Sequence, residues 1–224
     1  MLTPIPPGPT HHDGASVTEQ TQQTEQTEQT EQTPATMPVR TCADGVLRPV
    51  WADRSELTRS YFDTEWGRPV RSERGLYELL VLLVFAGGLT FGGVLARRDA
   101  LGQAFAGFDP DVVAGYDDTD VERLLADPAL IRNRRKITAA VRNAAAIVRV
   151  RSGDEDLTTW VWEDGVEVVD LDAIPRVSPR ADRLATRMRE AGFVHVGPVC
   201  AQALLLACGV MTPRHCEIPG PLPM

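Results

Sequence analysis

The stretch LLVLLVFAGGLTFGGVL, residues 79–95, carries no charged side chain and decides between a membrane protein and a globular one. A helix that spans a bilayer needs about 20 consecutive apolar residues, and this run has only 17. Two glycine pairs, Gly87–Gly88 and Gly92–Gly93, also interrupt it. The pattern therefore predicts a buried helix, a tight turn and a second helix, with no membrane partner.

The segments around this run are dominated by the periodicity of amphipathic helices. Alternation typical of a strand occurs only in TTWVWEDGVEVVDL, residues 158–171. The sequence therefore predicts an all-α fold. Several helix starts carry capping signals, namely Asp109 before Pro110, Thr119 three residues before Glu122, and Ser178 before Pro179.

The N-terminal part of the chain differs in composition from the rest. It contains TEQTQQTEQTEQTEQT, residues 18–33, between segments rich in Pro, Gly and Ser. No apolar residue recurs there to offset the entropy of ordering. We therefore predict a disordered low-complexity tail over residues 1–45 and one helical domain over residues 46–224.

The cysteines and the charge of the chain indicate its cellular compartment and its possible partners. The four cysteines form no CxxC pair and the chain opens without a signal-peptide pattern, so we expect reduced thiols and a cytoplasmic location. The net charge of −8 argues against a nucleic-acid partner. Residues 132–151, however, hold seven basic residues and no acidic one. Both a solvated helix face and a nucleic-acid surface fit this pattern.

Four segments, in the same order along the chain, resemble blocks of the DNA-3-methyladenine glycosylase I family. The resemblance implies a helix-hairpin-helix DNA glycosylase that flips an alkylated purine out of double-stranded DNA and hydrolyses its glycosidic bond. It also implies a monomer. The segments are RPVWADRSELTRSYFDTEWGRPV (48–70), FAGGLTFGGVLARRDALGQAFAGFDPDVVA (85–114), DVERLLADPALIRNRRKITAAVRNA (120–144) and AGFVHVGPVCAQALLLACGVM (191–211).

The resemblance implies a base pocket formed by Tyr61, Trp66, Leu83 and Phe91. Aromatic faces of this kind attract a cationic alkylated base. Leu83 stands where the family has a glutamate, and Phe91 where it has a tryptophan. The loss of that glutamate is why the opening stretch is free of charge. The catalytic residue is unknown from the sequence; Asp63 is a candidate, with helix capping or ion pairing as the alternative.

The resemblance also implies how DNA is held. The hairpin at residues 125–136 would bind the phosphate backbone, with positive charge from the residues around the start of the next helix. Ala129 replaces the glycine of the family's hairpin, which puts a left-handed turn there in question. The predicted DNA-binding residues are Arg132, Arg134, Arg135 and Lys136.

The zinc site of the family has no counterpart in this sequence. Its four ligand positions fall on Pro49, Phe62, Arg214 and about Ile218, and none of these side chains is a zinc ligand. We therefore expect no metal and no other cofactor.

Three functions are compatible with these substitutions. The first is an active glycosylase whose pocket, lined by Leu83, Val84 and Phe85, accepts a larger or more apolar adduct. The second is a DNA-binding lesion sensor without catalysis, and the third is a degenerate relative that binds another ligand. The basic stretch separates the first two from the third, and release of a base from alkylated DNA separates the first from the second.

Overall fold

The computed structural model describes residues 36–153 and 155–214. This part of the chain forms ten α-helices and four short strands around one hydrophobic core, which confirms the predicted fold class. None of its helices has the length and hydrophobicity to cross a membrane. The elements are β1 (Val39–Thr41), β2 (Leu47–Pro49), α1 (Glu56–Thr64), α2 (Glu73–Ala86), α3 (Phe91–Leu95), α4 (Arg98–Ala104), α5 (Pro110–Val113), α6 (Asp118–Ala126), α7 (Arg134–Arg151), α8 (Leu157–Trp162), β3 (Glu167–Val169), α9 (Pro179–Glu190), α10 (Pro198–Ala207) and β4 (Met211–Pro213).

The opening stretch forms the predicted helix, turn and second helix. Most of the apolar residues of α2 lie in the core, and Leu80, Leu82 and Phe85 are completely buried. The helix ends at Ala86 because Gly88 adopts a left-handed conformation with φ of 75°, which glycine enters without a steric penalty. Helix α3 then begins at a Thr90 cap, whose side chain accepts a hydrogen bond from the Gly93 amide.

Two of the three predicted caps are confirmed. Asp109 and Ser178 cap α5 and α9, each followed by a proline at the first helical position. The start of α6 was predicted incorrectly at Thr119. The aspartate at position 117 caps it, because its carboxylate accepts hydrogen bonds from two backbone amides and Asp120 completes the capping box.

The predicted strand at residues 158–171 divides into a helix and a strand. Asp156 caps α8 by accepting a hydrogen bond from the Thr159 amide, so the first half of the segment is helical. Only Glu167–Val169 is extended, and this strand pairs in parallel with Met211–Pro213. Trp160 and Trp162 of α8 are buried in the core.

The folded part of the chain begins earlier than predicted. Strand β1 pairs with β2 in antiparallel register, and the Met37 amide donates to the Ile174 carbonyl at 3.0 Å. Asp44, in the turn of this hairpin, binds Arg48. Residues 36–45 therefore belong to the fold and not to a tail. The predicted tail at residues 1–35 lies outside the described residues and stays a prediction.

The turn after Trp66 is held against the end of α10. The Gly67 amide donates to the Ala207 carbonyl at 3.2 Å, and the Val70 amide to the Cys208 carbonyl at 3.0 Å. A β-carbon on Gly209 would lie 2.7 Å from the Arg68 backbone, so this contact requires glycine. The C-terminal helix thereby fixes the position of Trp66.

We predict that a chain starting at residue 46 is less stable than one starting at residue 36. The shorter chain lacks β1 and the Asp44 carboxylate, and the loss of one hydrogen-bonded partner of a buried guanidinium costs about 1–3 kcal/mol. Thermal unfolding of the two chains measures the difference. Equal unfolding temperatures would show that residues 36–45 contribute nothing to the fold.

Candidate functional site

A cluster of aromatic side chains joins three parts of the chain. Tyr61 comes from α1, Phe91 begins α3, and their ring centroids are 5.2 Å apart. The ring of Trp51, from the loop before α1, lies 5.5 Å from Phe91 and 6.1 Å from Trp66. The structure therefore brings together three of the four residues predicted for the pocket, Tyr61, Trp66 and Phe91.

Trp51 is the member of this cluster that the sequence analysis did not assign to the pocket. Its ring is half-buried and contacts four aromatic side chains, including Phe62 at 6.0 Å. The same residue lines an open cavity. The signal in the sequence was its spacing, ten residues before Tyr61, which matches the family's first block.

The cavity beside this cluster has a volume of about 430 Å³. Gly92 allows α3 to approach α1 closely, because a β-carbon there would lie only 3.0 Å from the Thr58 methyl group. No carboxylate lines the cavity, and its only charged side chain is that of Arg54. The lining residues are Trp51, Arg54, Ser55, Leu57, Thr58, Thr90, Phe91, Gly92, Gly93 and Ala96.

Leu83 is half-buried near the C-terminal end of α2 and packs against the core. Val84 and Phe85, which were expected to line the pocket with it, are 3% and 0% exposed. Phe85 instead packs against Phe105, with ring centroids 6.0 Å apart. The prediction for Val84 and Phe85 was wrong because successive helical residues point in directions about 100° apart, so a continuous run cannot share one face.

The Tyr61 hydroxyl is suited to donate a hydrogen bond. Burial raises the pKa of Tyr61 above its usual range, and the negative charge of Glu65 raises it further. The phenol therefore stays protonated at neutral pH. Glu65 is itself bound by Arg98, at 2.6 Å.

Asp63, the candidate catalytic residue, is engaged elsewhere. It follows Tyr61 by two residues on α1, which turns its side chain about 200° away from that of Tyr61. Its two oxygens accept hydrogen bonds from the buried Arg48, both at 2.8 Å. Arg48 also binds Asp44, and hydrogen bonding to Asp63 raises the pKa of the guanidinium. The structure thus corrects the expected position of Asp63 and supports the ion-pair alternative.

The residues at the family's zinc-ligand positions do not fit a metal ion. Pro49 has no ligand atom, and the Phe62 ring stacks on Trp66 with centroids 5.0 Å apart. Arg214 binds Asp170 at 2.7 Å. Among the described residues no cluster of three or more His, Cys, Asp or Glu could hold a metal. Ile218, like the nearby His215 and Cys216, lies outside the described residues.

The predicted hairpin connects α6 to α7 through residues 127–133. Arg132, Arg134 and Arg135 are exposed on it, and Arg134 binds Glu122 at 2.5 Å. Ala129 lacks a positive φ, since the only described non-glycine residues with one are Ala106, Phe108 and His195. The hairpin therefore turns without a left-handed residue at the position where the family has glycine.

Lys136, the fourth residue predicted for DNA binding, has a different position. Its side chain is buried, and its ammonium group donates to the carbonyls of Phe85 and Gly87, both at 2.7 Å. These carbonyls lie at the C-terminal end of α2, where helix carbonyls lack partners within the helix. Burial lowers the pKa of Lys136, while the two acceptors favour its charged form. Lys136 therefore joins two helices and is not part of the exposed basic surface.

The described residues form an all-α fold with an aromatic cluster beside a cavity and a basic hairpin between α6 and α7, as the resemblance to helix-hairpin-helix DNA glycosylases predicts. A family model described as methyladenine glycosylase matches residues 51–218. The chain is 31% identical over 182 residues to DNA-3-methyladenine glycosylase 1 of Escherichia coli (strain K12), which covers 77% of this chain and 97% of that protein. The chain therefore belongs to the methyladenine glycosylase family.

Other relatives match a similar length of this chain and share its fold. The DNA-3-methyladenine glycosylase of Haemophilus influenzae is 27% identical over 167 residues, which is 72% of this chain and 90% of that protein. A crystal structure of 3-methyladenine DNA glycosylase I superposes with a TM-score of 0.69 at 34% identity, covering 72% of this chain and 92% of the other. The enzyme from Staphylococcus aureus shares the fold, with a TM-score of 0.70 at 24% identity, over 79% and 95% of the two chains.

We predict that Asp63→Asn destabilises the protein. The buried Arg48 would keep only Asp44 as a charged partner, and a hydrogen bond to a charged group contributes roughly 1–3 kcal/mol. For a domain of this size that lowers the unfolding temperature by about 5 °C. Asp99→Asn is the matched control, because Asp99 is exposed and makes no ion pair among the described residues. Equal unfolding temperatures for the two variants would contradict the structural role.

Proposed function

We propose that this protein is a DNA base-excision glycosylase that flips an alkylated purine out of double-stranded DNA and hydrolyses its glycosidic bond. The observation that carries the proposal is the cluster of Trp51, Tyr61, Trp66 and Phe91, in a chain of the methyladenine glycosylase family. Trp51 and Phe91 line a cavity of about 430 Å³, and Tyr61 and Trp66 pack behind them. Cavities of roughly 300–1,000 Å³ are typical of sites for small ligands. We further propose that it acts as a monomer in the cytoplasm.

Hydrolysis of the glycosidic bond needs few catalytic groups once the base is extruded. A purine alkylated at N3 or N7 carries positive charge and is already a good leaving group. Aromatic faces attract such a cation, and the protonated Tyr61 hydroxyl offers a hydrogen bond. The remaining requirement is a water molecule that attacks the sugar carbon as the base departs.

Water is the nucleophile that fits this chain best. Enzymes that use an amine for attack on a sugar carbon form a Schiff base with lysine. The chain has one lysine, Lys136, and its ammonium group is buried between two backbone carbonyls of α2. It is thus unavailable as a nucleophile, which supports simple hydrolysis and argues against cleavage of the DNA strand through a lysine Schiff base.

Extrusion of a base leaves a gap in the duplex that a protein side chain can fill. Leu89 is 51% exposed at the turn between α2 and α3, immediately before the pocket residues Thr90 and Phe91. Apolar side chains are the usual wedges between base steps. We propose that Leu89 is this wedge. We also propose that the phosphate backbone is bound by the exposed arginines of the basic hairpin, Arg132, Arg134 and Arg135.

The choice of lesion follows from the missing carboxylate. Leu83 replaces the glutamate that the family resemblance implies, and no acidic residue lines the cavity. Leu83 is not among the residues that line the cavity, so the proposal requires the bound base to reach it; an apolar contact there favours a larger or more apolar adduct over a small methylated cation. The same feature fits a second candidate function, lesion binding without catalysis, and assays of base release distinguish the two.

We also propose that the protein holds no structural zinc, because Pro49, Phe62 and Arg214 cannot act as ligands. Metal analysis of purified protein after dialysis against a chelator should find far less than one zinc ion per chain. Unfolding temperatures with and without the chelator should agree. One retained zinc per chain would contradict the proposal.

We predict that Leu83→Glu increases release of 3-methyladenine. A charged partner in a partly desolvated pocket contributes about 1–3 kcal/mol, or roughly tenfold to a hundredfold in rate. The variant should be less stable without ligand, because a carboxylate beside apolar side chains is costly to bury. Leu83→Gln is the control, since it adds a polar group of similar size without the charge. An unchanged rate in a folded Leu83→Glu variant would argue against this pocket.

Tyr61→Phe and Trp66→Ala should each lower base release by the parent protein. The first removes the hydrogen-bond donor and the second an aromatic face. Single-turnover release from methylated DNA and from DNA with bulky adducts measures both variants alongside the parent. If the parent binds both DNAs and releases neither base, lesion binding without catalysis is the better description.

A further inference from the structure

Three arginines form an exposed row along one face of α7. Arg135, Arg142 and Arg149 are seven residues apart, which is close to two helical turns, so their side chains leave the helix on the same side. Successive members are about 10 Å apart, and the row extends about 21 Å. Only its first member belongs to the predicted hairpin surface.

The arginine row differs from the other basic residues of α7. Arg134 and Arg151 bind carboxylates, and Lys136 is buried. The three guanidiniums of the row make no ion pair with any residue that the structure describes. Helix α7 itself contains no acidic residue, so no partner is available one turn away.

The charge of the row is unusual for this protein. The chain carries a net charge of −8, and all of its 31 acidic residues lie outside residues 132–151. Several exposed arginines outside α7 are paired with carboxylates, as Arg183 is with Asp164 and Arg214 with Asp170. A regular row of unpaired positive charges complements a partner whose negative charges are also regularly spaced, which is the property of a nucleic-acid backbone.

We propose that the arginine row binds phosphates of duplex DNA beyond the stretch held by the hairpin. The proposal rests on the proposed function, in that the hairpin must first bind DNA. A length of 21 Å corresponds to about six base pairs at 3.4 Å each. The row therefore lengthens the DNA footprint and contributes affinity that is independent of sequence and of the lesion. It leaves the bond-breaking step unchanged, because phosphate contacts position the duplex and do not touch the base.

The test compares two double variants that change the net charge equally. Arg142→Gln with Arg149→Gln removes two members of the row, and glutamine preserves helix propensity. Arg183→Gln with Arg214→Gln is the matched control on paired arginines. Affinity for an unmodified duplex of about 30 base pairs is measured over a range of salt concentrations. Each lost phosphate contact should reduce the slope of log K against log salt by about 0.9, so the row variant should lose about 1.8.

Two further measurements separate this proposal from the proposed function. On a duplex of about 10 base pairs centred on the lesion, the row variant and the parent should bind alike, since the outer phosphates are missing. Single-turnover base release at saturating protein should also be unchanged. A parent that neither binds DNA nor releases a base would overturn the proposed function together with this inference.

Other outcomes overturn the inference alone. Equal losses of slope in the row variant and the control would show that only net charge matters. If the slope of log K against log salt is unchanged in the row variant, the arginine row is a solvated helix face that does not contact DNA. Tighter DNA binding by the row variant would show that the row does not contact phosphates.

Discussion

The contact on which the site depends is the buried ammonium group of Lys136. It joins the first turn of α7, which follows the hairpin, to the carbonyls of Phe85 and Gly87 at the end of α2. A second bond, from the Tyr77 hydroxyl to the Ala140 carbonyl at 3.0 Å, joins the same two helices. Because α2 carries Leu83 and leads into the turn before Phe91, the proposed DNA surface and the pocket wall are connected through one charged group. Replacing it by an apolar residue would leave two helix carbonyls buried without partners.

A second connection joins β2 to α1. Pro49 and Phe62, at two of the positions where the family resemblance implies zinc ligands, belong to these two elements. The residues next to them, Arg48 and Asp63, join the same two elements by a pair of hydrogen bonds of 2.8 Å. The guanidinium of this ion pair is buried and its carboxylate is exposed, and the pair holds β2 against α1. Phe62 then completes the aromatic cluster by stacking on Trp66.

The aromatic cluster and the end of α2 are positioned by different contacts. Tyr61 is held by the packing of α1. Trp66 is held by the turn that follows it, which can approach the backbone at Gly209 closely because glycine has no β-carbon. Leu83 is half-buried on α2, and the neighbouring Val84 and Phe85 belong to the core. Aromatic rings, apolar side chains and the charged Arg54 line or adjoin the cavity, and no carboxylate lines it.

The sequence by itself determined the helical class, the break in the opening stretch and the starts of α5 and α9, because periodicity, glycine pairs and capping residues act over a few neighbouring positions. Through the family resemblance it also predicted that Tyr61, Trp66 and Phe91 lie together, as they do. Only the tertiary structure decided the positions of Trp51, Asp63 and Lys136. A half-buried tryptophan, an ion-paired carboxylate and a buried ammonium have ordinary local sequences, and their partners lie 15 residues away for Asp63 and 51 for Lys136. Burial and pairing depend on which distant groups fold against a side chain. The local sequence pattern does not identify those groups.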